Sequence, residues 1–268
     1  MQTSFRNFHS CPGNPGGPRG IRFVSHNVFW FQGSSFATDE PPSPRGEIVE
    51  ALCALYREMR ADVLCLQEVQ SEAAARRIAD FLDMEWIFRP GGGHPQYGGA
   101  VFSRWPMREL PLEGAFVVDR TLLRVEVRPR EARPYCLVNI HLPSHRQHGV
   151  EGGQKRRLEE LGRVVGEVKT DMLLGDFNER PGGPCSMLLR EGGRYHDVAI
   201  ACFAGEMPTN LSKPPGFRGD QIWLSNSRNG DLAGYFCVSR KRLSLRHEPG
   251  TFLSDHLPIG CELHSSRG

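Results

Sequence analysis

The chain has 268 residues, enough for one large domain or two small ones, and its 39% hydrophobic and 24% charged residues exclude a disordered or fibrous protein. No apolar run approaches the roughly 18 residues that a membrane-crossing helix needs, so no membrane insertion is expected. A formal charge of +2 permits an acidic partner without demanding one.

Residues 1–20, rich in Gly and Pro, read as a flexible tail. The tail lacks the apolar core of a secretory signal. Its freedom from acidic residues is shared with transit peptides, but the Gly/Pro content favours a loose segment and a cytoplasmic protein. Residues 21–268 contain no linker and read as one domain. A first strand is expected at 21–30. After Pro41–Pro44, a helix carries Ile48, Val49, Leu52, Leu55, Tyr56 and Met59 on one stripe. A buried strand at 62–68 (DVLCLQE) follows, then a helix from Ser71, which serves as its cap. A glycine-rich loop, RPGGGHPQYGG, leads into the apolar run GAVFS. Strands are expected at 115–118, 121–128 and 134–141, a helix at 153–169, and a buried strand at 171–177 (DMLLGDF). Further strands fall near 221–225, 233–239 and 258–263. The eight cysteines are scattered with no C-x-x-C pair and read as reduced, buried thiols. This order of elements suits two sheets packed face to face with helices outside, an α/β architecture.

Polar residues stand at the ends of the apolar strands: Asn27, Glu68, His141, Asp176 with Asn178, and Asp255 with His256 just before PIGCEL. A strand end gives a side chain rigid support and leaves its tip in a cleft. Each residue alone has an ordinary reading, Glu68 as a helix-start carboxylate and Asp176 as a turn residue. Together, oxygen ligands without a His/Cys cluster favour a hard cation such as Mg²⁺ over zinc. Hydrolysis of a phosphodiester needs an in-line water, a cation and an acid, and these residue types supply all three. Nucleotide-binding, serine-hydrolase and zinc-protease motifs are absent from the sequence.

The segments SHNV, LCLQEV, GAVFSRWPM, VNIHL, LLGDFN, GDQIWLS and SDHLPI, in this order, resemble the endonuclease/exonuclease/phosphatase superfamily with its deoxyribonuclease-I-like fold. The resemblance spans about residues 20–264. It implies a four-layer αββα sandwich of two mixed sheets that hydrolyses phosphate esters with Mg²⁺, or with Mn²⁺. It makes Glu68 the main metal carboxylate, with Asn27 and Asp255 beside it, and His141 an acid or phosphate-stabilising residue. Asp176 and Asn178 would position water and phosphate oxygens. His256 would contact the phosphate, oriented by Asp220, although Gln221 departs from the family's I-D-Y-I strand. Phe29 stands where some members carry an acidic residue for a second metal.

Basic residues adjoin this set in two loops, HRQH with KRR at 145–157 and SRKRLSLRH at 239–247; Arg146, Arg156 and Arg242 are the candidate substrate contacts. Solvated charge is the ordinary alternative. The reading is a nuclease acting on DNA or RNA as a monomer, with no stable protein partner implied. A phosphatase or phosphodiesterase of lipid or small-molecule esters is the second reading, disfavoured because no P-A-W-x-D-R run is present. A non-catalytic member that binds nucleic acid or protein is the third, disfavoured by the complete ligand set.

Overall fold

The computed structural model describes residues 8–10, 20–33, 40–112, 118–130, 132–167, 170–205, 207–211, 216–245 and 247–264. Along the chain these form β1 (Phe8–Ser10), β2 (Ile21–Asn27), α1 (Gly46–Met59), β3 (Val63–Val69), α2 (Glu72–Leu82), β4 (Glu85–Arg89), β5 (Gly98–Ser103) and β6 (Met107–Glu109). Then come β7 (Thr121–Val127), β8 (Tyr135–His141), α3 (His145–Glu167), β9 (Met172–Asp176), α4 (Pro184–Arg190), β10 (Tyr195–Asp197) and α5 (Val198–Ala201). The last elements are β11 (Asp220–Ser225), β12 (Leu232–Val238), α6 (Arg240–Leu243) and β13 (Ile259–Leu263). One sheet has the order β1-β12-β13-β2-β3-β5-β4, the other β10-β11-β9-β8-β7-β6.

Strand alternation sorts side chains between the layers. On β8, Tyr135 and Leu137 enter the main core, whereas Val138 and Ile140 pack outward with Leu161 and Val164 of α3. The stripe on α1, led by Ile48, Leu52 and Tyr56, covers the other sheet. The result is the four-layer α/β sandwich expected from the sequence.

Among the described residues, two neighbouring strand pairs are parallel: β2 with β3, joined through α1, and β8 with β9, joined through α3. In α/β units, ligands collect beyond the carboxyl ends of such strands. Here the two units put those ends together across the sandwich. Asn139 fixes their register, accepting from Gln67 Nε2 (2.6 Å) and donating to the Leu66 and Ala100 carbonyls (2.8 and 3.1 Å).

Several expectations are corrected. Most of the 1–20 tail lies outside the described residues, but Phe8–Ser10 is a strand paired with β12. The first strand stops at Asn27, because Phe29, Trp30 and Phe31 take left-handed backbone (φ 47°, 52° and 55°). The third helix starts at His145, turning at Gly149 (φ 69°). The strand expected at 115–118 lies almost wholly outside the described residues. The strands β4, β6 and β10 and the helix α4 are too short for an apolar period to be read. The seven described cysteines are free, and no described helix is long and apolar enough to cross a membrane.

The joint between α1 and the sheet also makes the fold acid-sensitive. His26 is fully buried, its Nδ1 2.7 Å from the Tyr56 hydroxyl and its Nε2 3.0 Å from the His256 carbonyl. The carbonyl requires Nε2–H as donor, leaving Nδ1 to accept from tyrosine. Burial drives the pKa down to about 4, against the carbonyl bond that favours the charged form. The unfolded chain therefore takes up this proton first, and stability is lost as pH falls from about 6.5 towards 4. Urea denaturation is expected to show a loss of about 2–3 kcal/mol across that window from this group, with a smaller slope in His26→Gln.

Candidate active site

Both parallel units end in functional side chains. Asn27 closes β2, His141 closes β8 and Asp176 closes β9. Glu68 reaches the same place by a different device: it is the extra residue of a bulge between Gln67 and Val69, with φ 58°. A bulge re-aims a side chain that strict alternation would point elsewhere. Asn178 also has positive φ, 49°, which folds its backbone N–H onto Asp176 Oδ1 at 2.9 Å. Gly175 is required by close approach, since a Cβ there would lie 1.8 Å from the Ile140 carbonyl.

These residues form one buried network. Asn27 Nδ2 donates to Glu68 Oε1 and Asp176 Oδ2, each at 3.2 Å, while its oxygen accepts the Phe29 N–H at 3.1 Å. As placed, Asn27 positions the carboxylates as a donor. His141 Nε2 stands 3.5 Å from Asp176 Oδ2 and 3.8 Å from Glu68 Oε1. The serine of the SDH segment ties the final loop to the first strand: Ser254 Oγ donates to the Asn27 carbonyl (2.7 Å) and accepts the His256 N–H (3.1 Å).

His256 faces Asp220 through Nδ1 (2.8 Å), and its Nε2 looks towards Asp176 and Asp255, both at 3.9 Å. Burial alone would neutralise this ring, but Asp220, Asp255 and Asp176 together hold its pKa well above the ordinary histidine value. His141 goes the other way, pushed well below that value by burial, with Arg120 and His256 adding to the effect. The surroundings thus favour the cationic ring at His256 and the neutral ring at His141. Gln221 does not disturb Asp220, because it points to the opposite face of β11, accepting from Trp223 Nε1 and donating to the Glu179 carbonyl.

Sequence reading gave no role to Arg120 or Asn210. Arg120, buried just before β7, contacts His141 Nε2 through Nη1, lies 3.8 Å from Glu68 Oε1, donates to Ser144 Oγ at 3.0 Å, and sits 4.2 Å over the Tyr97 ring. Tyr97 also meets His141 edge-on, the ring centroids 6.0 Å apart. Asn210 places its amide 3.0 Å from His256 Nε2. Its oxygen suits a cationic ring and its nitrogen a neutral one.

The basic candidates separate. Arg146, at the start of α3, is near enough for its charge to favour the ionised form of Asp255. Arg156 is exposed on α3, and its charge acts on Glu160 one helical turn away. Arg242 forms an ion pair with Glu58 of α1, outside the seven-stranded sheet, so the structure does not bring it to the site. The buried member of the KRR run is Arg157, which donates to the Pro143 carbonyl at 3.0 Å. Trp30, Phe31 and Trp223, aromatic residues that could otherwise stack on bases, are buried.

The donor set fits a hard divalent cation. Glu68 Oε2 and Asp255 Oδ1 are buried without hydrogen-bond partners. Burial pushes the Glu68 pKa up to about 7, opposed by Arg120, and burial also raises those of Asp176 and Asp255. Crowded carboxylates of this kind are relieved by a cation. Asp176, Asp220 and His256 also offer ligand atoms within 4.8 Å of one another. The Asp220–His256 hydrogen bond already employs two of that trio, and the unpartnered oxygens of Glu68 and Asp255, near enough for their charges to interact, are the further candidates to hold a cation.

Residues 24–256 match the Endonuclease/Exonuclease/phosphatase family. The chain belongs to this family. Mouse protein angel homolog 2 is 27% identical over 175 residues, which is 54% of this chain and 31% of that protein, so the chain spans about a third of the length of that curated relative. An endonuclease/exonuclease/phosphatase from Beutenbergia cavernae has a similar structure (20% identity, TM-score 0.68, covering 93% of this chain and 72% of that one). So has the human Nocturnin catalytic domain with bound sulfate (16%, TM-score 0.64, 92% and 94%). D. rerio TDP2 complexed with a single-strand DNA product gives 16% identity and a TM-score of 0.64, covering 91% of this chain and 98% of that one.

Proposed function

We propose that the protein is a divalent-metal-dependent phosphodiester hydrolase, a nuclease that cleaves DNA or RNA by in-line attack of water. The observation that carries this reading is the pairing of unpartnered buried carboxylate oxygens on Glu68 and Asp255 with a cationic His256 in the same cleft. A bound Mg²⁺ or Mn²⁺ held by Glu68 and Asp255 would neutralise phosphate charge and make water more acidic.

The chain's own groups supply the rest. Asp176, its carboxylate fixed by Asn27 and by the Asn178 N–H, accepts the proton of the attacking water as the P–O bond opposite it breaks, and the departing oxygen takes its proton from solvent. His256, held by Asp220 at Nδ1 and by the Asn210 amide at Nε2, brings a positively charged ring to the phosphate. Arg120, locked against neutral His141, brings a second cation to the developing charge. Arg146 extends the contacts along the substrate. A fold relative solved with a single-strand DNA product supports a nucleic-acid substrate.

A cleavage panel tests the reading: single- and double-stranded DNA, RNA, a phospholipid and an aryl phosphodiester, each with Mg²⁺ and with EDTA. Cleavage of an oligonucleotide that stops in EDTA is expected. Full turnover in EDTA would overturn the metal site, and cleavage of the phospholipid alone would overturn the substrate class.

Salt dependence is a separate check. A polyanion held by several cations loses affinity with log salt at a slope of about −0.7 to −0.9 per phosphate contact. KM for an oligonucleotide should therefore rise steeply with salt, and Arg146→Ala should flatten the slope by about one contact. Arg242→Ala should leave it unchanged, since Glu58 engages that side chain.

A further inference from the structure

Arg120 lies outside any strand, on a short approach to β7, yet its guanidinium meets three partners in fixed directions. The approach is held from two sides. From α3, Glu160 Oε1 accepts the backbone N–H of Asp119 at 2.9 Å, and His148 Nε2 lies 3.0 Å from Asp119 Oδ2. From the glycine-rich loop, Gly93 N–H donates to the Asp119 carbonyl and Gly92 N–H to the Arg120 carbonyl, both at 2.9 Å. The glycine at 92 is a requirement of this contact, since a Cβ there would stand 2.1 Å from the Val118 carbonyl.

Glu160 is a costly way to build such a joint. It is 3% exposed, its second oxygen has no partner, and its neighbour Asp119 is also a buried acid. Burial, with the Asp119 charge adding to it, raises the Glu160 pKa to about 7 even though the Asp119 N–H, Arg156 and Arg120 favour its ionised form. An apolar side chain would fill the position at less expense, but it would offer no acceptor to the Asp119 N–H and leave that group unpaired.

We propose that Glu160 and His148 are positioning residues, which clamp Asp119 to α3 and so fix where Arg120 delivers its guanidinium among His141, Glu68 and Ser144. This rests on the reading of Arg120 as a phosphate-stabilising cation. The clamp acts through the backbone of one residue on the side chain of the next, so slack in it misplaces the guanidinium without unfolding the sandwich. Misplacement of about 1 Å at a reacting centre can cost on the order of 100-fold in rate.

The test compares Glu160→Leu, Glu160→Gln and His148→Ala in the full chain. It reads kcat and KM on an aryl phosphodiester, together with the ¹⁵N resonances of the Arg120 guanidinium, identified by their loss in Arg120→Lys. Glu160→Leu is expected to lower kcat at least tenfold with KM within twofold, and to broaden the Arg120 signals. Glu160→Gln, which keeps an acceptor for the Asp119 N–H, should restore both. In an Arg120→Ala background, Glu160→Leu should cost less than twofold further, because residues that act through one group are not additive.

Retention of sharp Arg120 signals and full kcat in Glu160→Leu would overturn the proposal, as would a full additional loss in the Arg120→Ala background. Should Glu160→Leu not fold, the half-buried His148→Ala carries the same expectations, with smaller losses, and unchanged signals there would count against the clamp. If the unsubstituted protein hydrolyses no phosphodiester, the proposed function fails, and the guanidinium resonances alone still decide whether Glu160 and His148 hold Arg120.

Discussion

Glu68→Ala should abolish turnover at moderate Mg²⁺ while the protein remains folded. The carboxylate is placed by a bulge at the mouth of β3, one of its oxygens has no partner, and burial already raises its pKa to about 7. Deleting it would remove a proposed holder of the cation together with a carboxylate whose burial is costly. Its removal also takes a partner from buried Arg120 and Asn27, so the metal-free variant should stay folded but be less stable than the unsubstituted protein. A ligand that binds only the folded state stabilises it by mass action, so added Mg²⁺ should raise the melting temperature of the unsubstituted protein and not that of Glu68→Ala. Calorimetry with and without Mg²⁺ measures this independently of any substrate. An Mg²⁺-dependent shift that persists in Glu68→Ala, or full turnover by that variant, would assign the cation to other residues.

The second large effect is expected at His256. Losing one preorganised donor to developing charge costs roughly 10²–10³ in rate, and His256→Ala should fall in or beyond that range. Asp220→Asn should cost less, because it keeps the ring in place while weakening its hold on the proton. Asp220 is the first of the groups that keep the His256 pKa above the ordinary value against burial. Without its charge that pKa falls, and the cationic ring is lost at lower pH. The alkaline limb of the kcat/KM profile should accordingly move to lower pH in Asp220→Asn. An unshifted profile and unchanged rate would make Asp220 an ordinary buried strand residue.

The sequence by itself determined the layers and most of the candidate site. Period-2 runs such as TLLRVEV and the apolar stripe of α1 state which face is buried, because a strand alternates every residue and a helix returns every 3.6. Asn27, Glu68, His141 and Asp176 were legible for a related reason: a polar residue closing an apolar strand is tolerable only at a mouth. Those signals are local.

What the tertiary structure decided depends on pairing, which has no local signature. Arg120 precedes its strand and so gave no strand-end signal. It enters the site because β7 runs antiparallel to β8 and sets Thr121 opposite His141. Asn210 enters through a single bridge to His256. Arg242 leaves the candidate set because the helix layer presents Glu58 to it. The two imidazoles of His141 and His256 have the same chemistry in the sequence. One becomes neutral and the other cationic only because the fold surrounds the first with Arg120 and the second with three aspartates, in a buried site where charges are poorly screened.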